Sequence, residues 1–320
     1  MNTGFQPAPE ESDVWRVQTD KVSERFFNFG SRPSPQRGLE HPLVTAVVLA
    51  RNEEHNLSRC LSDASAVVSD LVVIDDNSTD STRSVSEALG ARVYEHGLES
   101  FAGQRNWAME HARLHTEWVL HLDADEVVTP ELAAEIQQRV ETAGPEVAGF
   151  LLSYKTMLDG RWLKHSSTFP VWVLRLVRRG RVRYTERGHG EGYEADGKIL
   201  RLQEPFLHYN FSKGFTEWLA KHNRYSSLEA QACLQDLRTG RLKWRALMSR
   251  DPVLRRRALK RLSFRLPFRP WLKFFYMYVL RRGFLDGMPG LTYCTLQGIY
   301  EYMICLKIKE LKRREKGLPV

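Results

Sequence analysis

Between residues 43 and 141, short apolar, β-branched runs alternate with stretches of helical spacing, and this alternation narrows the choice of folds more than any other feature of the chain. The runs are "LVTAVVLA" (43–50), "LVVID" (71–75), "ARVYEH" (91–96) and "EWVLHL" (117–122). A continuous apolar run predicts a strand buried on both faces, as in a parallel sheet. Between them, "EEHNLSRCLSDASAVV" sets Leu57, Cys60, Leu61, Ala64 and Val68 at helical spacing, and "STDSTRSVSEALG" opens on capping residues and stops at Gly90. "GQRNWAMEHAR" predicts a third helix and "TPELAAEIQQRV" a fourth, with Thr129 as N-cap and Pro130 in its first turn. Strands alternating with helices mean an α/β fold with a Rossmann-like, mostly parallel, doubly wound sheet.

From Val147 the texture changes. "VAGFLLSYKTML", "VWVLRLVRRG" and "KILRLQEPFLHYNF" predict strands with short turns, an α+β extension of the sheet. After "GFTEWLAKHNRYSSLEAQACLQDL" the chain is helical, basic and aromatic to its end. Residues 1–41, rich in Pro, Ser, Gly and charge without periodicity, predict a flexible arm. The expected organisation is therefore an arm (1–41), an α/β domain with its extension (42–235) and a basic amphipathic helical region (236–320). Charge follows the same division. From Arg238 to Val320 there are 21 Lys and Arg against 5 Asp and Glu, or +16, so the net charge of +8 leaves −8 for the rest. The four cysteines show no C-x-x-C spacing, which predicts neither a disulfide framework nor a zinc site. "MNTGFQPAPEESD" has no basic and apolar leader, and the apolar C-terminal runs are broken by Lys, Gln or Glu short of the roughly 20 residues of a membrane span. A cytoplasmic protein is expected, peripheral on the inner face of the membrane.

In open parallel sheets ligands bind beyond the carboxyl ends of the strands, where polar residues accumulate here. The first strand ends in Arg51-Asn52-Glu53, the second in Asp75-Asp76-Asn77-Ser78, the fourth in Asp123-Ala124-Asp125-Glu126. No G-x-G-x-x-G or G-x-x-x-x-G-K-[ST] follows a strand, which argues against a dinucleotide site or a P-loop. Asp123 and Asp125 suit a hard divalent cation, because Mg²⁺ or Mn²⁺ often binds one or two carboxylates plus substrate phosphate. The plainer reading is an acidic turn before a helix, with Glu126 favoured by the helix dipole.

"VTAVVLARNEEHNLSRCL", "LVVIDDNSTDST", "FAGQRNWAMEHA" and "WVLHLDADEVVTPEL", in that order and spacing, resemble family 2 glycosyltransferases of the GT-A fold, nearest to the branch of lipopolysaccharide-core β-glucosyltransferases. The resemblance is strong over 43–141 and weaker to the C-terminus. It implies a nucleotide-diphospho-sugar donor, inversion at the anomeric carbon, a Mg²⁺ or Mn²⁺ cofactor and a role in cell-envelope glycan synthesis. Carried onto matching positions, Asn52 and Glu53, with Arg51 beside them, line the nucleoside pocket. Asp76, with Asp75 as second choice, accepts from the base; Arg105 lies near the nucleotide or its diphosphate. Asp123, with Ala124, contacts ribose or metal, and Asp125 binds the metal directly. Glu191 in "ERGHGEGYEADG" is the candidate general base, resembling the His-Glu pair of this branch, although Gly190 separates it from His189. His208 in "FLHYNF" resembles the histidine that completes the metal shell. "HSSTFPVWVLRL" stands where relatives tend to carry a Gly-containing acceptor loop. The plainer alternatives are an Asx turn at Asp75-Asp76, a surface ion pair for Arg105, a loop carboxylate for Glu191 and a core residue for His208.

The segment from Arg241 to Phe284 interleaves Arg and Lys with Trp, Phe and Leu. This suits helices lying on an anionic membrane surface, consistent with a saccharide or lipid-linked acceptor. The alternative is packing on the catalytic domain; no nucleic-acid motif accompanies the basic stretch, and no nucleic-acid partner is expected. Two rival functions share the D-x-D signal: a haloacid-dehalogenase-like phosphatase, whose motif normally opens the core sheet rather than ending the fourth strand, and an inactive transferase-fold membrane scaffold.

Overall fold

The computed structural model of the chain describes residues 44–97, 100–187, 190–239 and 268–319, with Met248, Arg255 and Leu262. The expected arm over 1–41, His189 and most of the basic stretch between 240 and 267 lie outside the described residues.

Strands β1 (Val44–Ala50), β2 (Asp70–Asp75), β3 (Arg92–Glu95) and β4 (Trp118–Asp123) are parallel neighbours in the order β3-β2-β1-β4. Every residue of β1 is buried, and so are Trp118 to Leu122 of β4, as expected of strands covered on both faces. Helices α1 (Glu54–Ala64), α2 (Thr82–Ala88) and α4 (Pro130–Thr142) cover one face, where Leu57, Leu61, Leu132 and Ile136 share a core with Val48, Trp118 and Leu120. Helix α3 (Phe101–His111) covers the other, bringing Ala102 and Ala108 against Val47, Leu49 and Ile74. The doubly wound α/β layer read from the sequence is present.

Beyond β4 the sheet becomes mixed. Strands β5 (Glu126–Val127), β6 (Val147–Leu158), β8 (Trp172–Arg178) and β12 (Phe206–His208) continue it in the order β4-β8-β6-β12-β5, while β7 (Arg161–Trp162) and β11 (Lys198–Arg201) pair with β6. β8 runs antiparallel to both β4 and β6, and β12 is parallel to β6. Two reversals restore the original direction, so the carboxyl ends of β1, β2, β4, β6 and β12 share one edge. The segment "ERGHGEGYEADG" belongs to an antiparallel hairpin of β9 (Val182–Arg187) and β10 (Gly190–Ala195). It is pinned to α3: Asn106 Nδ2 donates to the Tyr184 carbonyl, and Tyr184 N–H donates to Asn106 Oδ1, both at 2.9 Å.

The C-terminal helices are α5 (Gly214–Thr239), α6 (Arg269–Phe275), which continues through a π turn at Tyr276–Leu280, and α7 (Gly287–Glu315) after a 3₁₀ turn at Gly283–Asp286. α7 packs on α5 and α6, with Ala230, Cys233 and Ile304 fully buried between α5 and α7. The boundary expected at 235/236 falls inside α5.

Helix α4 starts as predicted: Thr129 is the N-cap, its hydroxyl accepting from Leu132 N–H at 3.2 Å, and Pro130 is the first residue. Replacing the cap with Thr129→Ala should lower unfolding stability by about 1 kcal/mol in urea titrations; an unchanged midpoint would mean that tertiary packing alone sets this start.

Candidate active site

The first two strand ends turn sharply, and asparagine makes that possible. Asn52 (φ +52°) and Asn77 (φ +49°) sit in the left-handed region, which Asn tolerates better than most residues. Asn52 Oδ1 accepts from Thr79 N–H at 2.7 Å, and Asn52 N–H donates to Ser78 Oγ at 2.9 Å, so the turns after β1 and β2 hold each other. Asp75 accepts from Ser78 N–H at 3.2 Å and from its hydroxyl, a turn role of the kind read as the plainer alternative. Asp76, nearly buried, pairs with Arg51 at 3.1 Å. Glu53 is tied to Lys213 Nζ at 2.5 Å and to Asn56 at 2.6 Å; burial raises its pKa in spite of those two partners. Lys213 also donates to the Arg51 carbonyl at 2.8 Å, drawing the segment after β12 over the end of β1.

At the end of β4 the acidic run meets two buried arginines. Arg105 of α3, 1% exposed, donates from Nη2 to Asp123 Oδ1 and from Nε to Glu191 Oε1, each at 2.7 Å. It is no surface ion pair. Arg175 of β8 donates from Nη2 to Asp123 Oδ2 at 2.7 Å and to Glu126 Oε1 at 2.6 Å, while its Nη1 lies 3.5 Å from Glu191 Oε2. Glu126 Oε2 accepts from Asp123 N–H at 3.1 Å. Burial alone would raise the pKa of Asp123, but Arg175 and Arg105 outweigh it and hold the carboxyl well below the usual range. Glu126, more deeply buried, is raised by that burial against the pull of Arg175. Guanidinium charge is thus what lets neighbouring carboxylates stand together here. Beneath them His121 packs edge-on to Tyr184, and burial, then Arg105 and Arg175, push its pKa well down, so the imidazole is neutral.

Asp125 faces the other way. Its Oδ2 lies 3.3 Å from His208 Nε2, and its carbonyl accepts from Tyr209 N–H at 2.8 Å. Burial would raise the Asp125 pKa and lower that of His208; each outweighs burial for the other, so Asp125 is lowered and His208 raised. A carboxylate oxygen and an imidazole nitrogen at this separation resemble two adjacent ligands of one divalent cation, which lie about 3 Å apart when each bond is about 2.1 Å. Asp123, 31% exposed at its side chain, keeps a further lone pair on each arginine-bound oxygen. Among the described residues no group of three or more His, Cys, Asp or Glu side chains is arranged to hold a metal ion, so the protein offers a two-donor pair, Asp125 and His208, to which phosphate and water would have to add the other ligands.

The sequence-predicted residues therefore gather along one edge: Arg51, Asn52, Glu53, Asp75 and Asp76 at the ends of β1 and β2, Asp123, Ala124 and Asp125 at β4, His208 at β12, and Arg105 and Glu191 beside them. Arg175 and Lys213 were missed. For Arg175 a signal existed: a lone cation between Leu174 and Leu176 in an apolar strand must find an anion. Lys213 had none, since its partners lie 160 or more positions away.

Residues 45–206, just over half of the chain, match the family model for glycosyl transferase family 2. An uncharacterized glycosyltransferase of Rickettsia felis is 22% identical over 286 residues, 86% of this chain and 92% of that protein. The succinoglycan biosynthesis protein ExoO of Rhizobium meliloti is 33% identical over 130 residues, 38% of this chain and 36% of its own length. Among solved structures, glucosyl-3-phosphoglycerate synthase of Mycobacterium tuberculosis, in complex with Mn²⁺, UDP and glucosyl-3-phosphoglycerate, shares 22% identity at a TM-score of 0.30, covering 36% of this chain and 44% of that one.

Removing one partner of a buried ion pair strands the other charge and costs about 3–5 kcal/mol. Arg175→Met should lower stability by that amount in urea unfolding, and adding Glu126→Gln should return part of the loss. Strictly additive losses would show that Arg175 and Glu126 do not share a network.

Proposed function

The chain belongs to glycosyl transferase family 2, and we propose that it transfers a sugar, with inversion, from a nucleotide-diphospho-sugar to a saccharide or lipid-linked acceptor in cell-envelope glycan synthesis, at the cytoplasmic membrane face and with Mg²⁺ or Mn²⁺. The observation that carries this reading is the placement of Asp123 and Glu191, bound by two buried arginines, and of the Asp125–His208 pair along one sheet edge.

The ends of β1 and β2, with Arg51, Asn52, Glu53 and Asp76, hold the nucleoside. Asp125 and His208, with Asp123 beside them, hold the cation, which when bound stabilises negative charge on the departing diphosphate as a Lewis acid. Glu191 is the base. Its Oε1 is taken up by Arg105, whereas Oε2 makes the longer contact to Arg175 at 3.5 Å and accepts the proton of the acceptor hydroxyl. As that oxygen bonds to the anomeric carbon, the bond to the diphosphate breaks and its electron pair leaves with the nucleotide. Arg105 is buried and bound to two carboxylates, so it works by aiming Glu191 and Asp123 rather than by meeting the diphosphate. The phosphatase reading finds no support in the family model, which matches residues 45–206 to glycosyl transferase family 2.

A screen of nucleotide-sugars with Mn²⁺ should find one that raises the melting temperature, because ligand bound only to the folded state stabilises it. Asp125→Ala should abolish that rise. Glu191→Gln should keep it while lowering transfer by about 10²–10⁴-fold. Transfer that is unchanged in both variants would sink the assignment, and steady phosphate release from a phosphate ester without a sugar donor would favour the phosphatase.

A further inference from the structure

A helix on a soluble protein turns its apolar stripe to the core. Along α6 and its π turn the stripe is inverted. Trp271, Leu272, Phe275, Tyr276, Val279 and Leu280 recur along one helical face, and all are exposed, Trp271 by 72% and Leu280 by 64%. Phe284, Leu285 and Met288 extend the exposed apolar surface through the 3₁₀ turn. What this segment turns inward is only partly apolar: Met277 is buried, but so is Arg269, paired with Glu301 of α7 at 2.6 Å, and Lys273 is half-hidden, its pKa lowered by burial. Ion pairing inside with aromatic residues outside is the arrangement of a helix whose outer neighbour is apolar.

Two observations identify that neighbour. The region is strongly cationic, with 21 Lys and Arg against 5 Asp and Glu from Arg238 onward, and Lys309, Lys312 and Arg313 of α7 line a depression with Arg269 at the start of α6. Aromatic and aliphatic side chains flanked by Lys and Arg match the boundary of an anionic bilayer. No described helix is long and apolar enough to cross a membrane, so the fit is to lying on the surface.

The same unit grips the connection between β6 and β8. Asp286 accepts from His165 N–H at 2.9 Å, from Ser166 N–H at 2.7 Å and from Ser166 Oγ at 2.6 Å. Arg281 donates to the Ser167 carbonyl at 2.6 Å. Because β6 points the same way as β4 and β12, this connection leaves the sheet on the edge that carries Asp125 and His208.

We propose that the apolar face of residues 271–288 docks on an anionic lipid surface and, through Asp286 and Arg281, holds the 165–168 loop at the lipid boundary beside the candidate active site, so that a lipid-borne acceptor reaches the site from the bilayer. The delivery of an acceptor rests on the transferase reading above; the docking itself does not.

The test is flotation of the full chain with phosphatidylcholine vesicles and with vesicles that also contain phosphatidylglycerol. The wild-type protein should float with the anionic vesicles alone, less so at high salt. Trp271→Glu/Phe275→Glu should partition at least about a hundredfold more weakly at an unchanged melting temperature, and Leu280→Glu/Phe284→Glu, on the next turns, should do the same. Asp125→Ala should float as the wild type does, which separates failure of the docking surface from failure of the transferase assignment. Equal flotation of wild type and both double variants would overturn the proposal. So would a lipid-free wild-type dimer that the variants convert to monomer without any vesicle binding, since the face would then be a contact between copies.

Discussion

Asp123 gives one oxygen to Arg105 and the other to Arg175, and the remainder of the site is organised around that sharing. Charges withdrawn from water this far cost several kcal/mol each unless they are paired and hydrogen-bonded. The guanidiniums meet that cost for Asp123, Glu126 and Glu191 together. In doing so they join β4, β5, β8, α3 and β10, elements far apart in the chain. The site is therefore a joint of the fold as well as a place for chemistry, standing where the parallel half of the sheet passes into the mixed half.

The two sides of that joint differ in character. On one, carboxylates are neutralised by buried arginines and held in fixed directions, which suits groups that must be aimed. On the other, Asp125 and His208 lie 3.3 Å apart and each shifts the titration of the other. Lys213 closes the far end by tying Glu53 and the end of β1 to the segment after β12.

The C-terminal helices complete this division. Ordinary burial explains α5 and α7, which share Ala230, Cys233 and Ile304. It does not explain α6, which hides Arg269 and exposes Trp271. Asp286 and Arg281 connect that inverted helix to the loop after β6, so whatever the apolar face meets is linked mechanically to the connection between β6 and β8.

Much of this was legible in the chain itself. The continuous apolar runs identified β1, β2 and β4, because a strand buried on both faces admits almost nothing else, and Thr129-Pro130 marked the start of α4 by local chemistry alone. The polar residues at the strand ends marked the edge along which the candidate site residues gather. Other features arose only in three dimensions. The hairpin that carries Glu191 is polar and rich in glycine, without alternation to announce it, and it is a hairpin because Asn106 of α3 pins its first strand. The partners of Arg105 and Arg175 lie 18 to 86 positions away, and no local rule selects among so many carboxylates. Composition and period determined which segments became strands and helices; the pairing of charges was decided by tertiary structure, because electrostatic energy depends on distance through space and on burial, and neither is written along the chain.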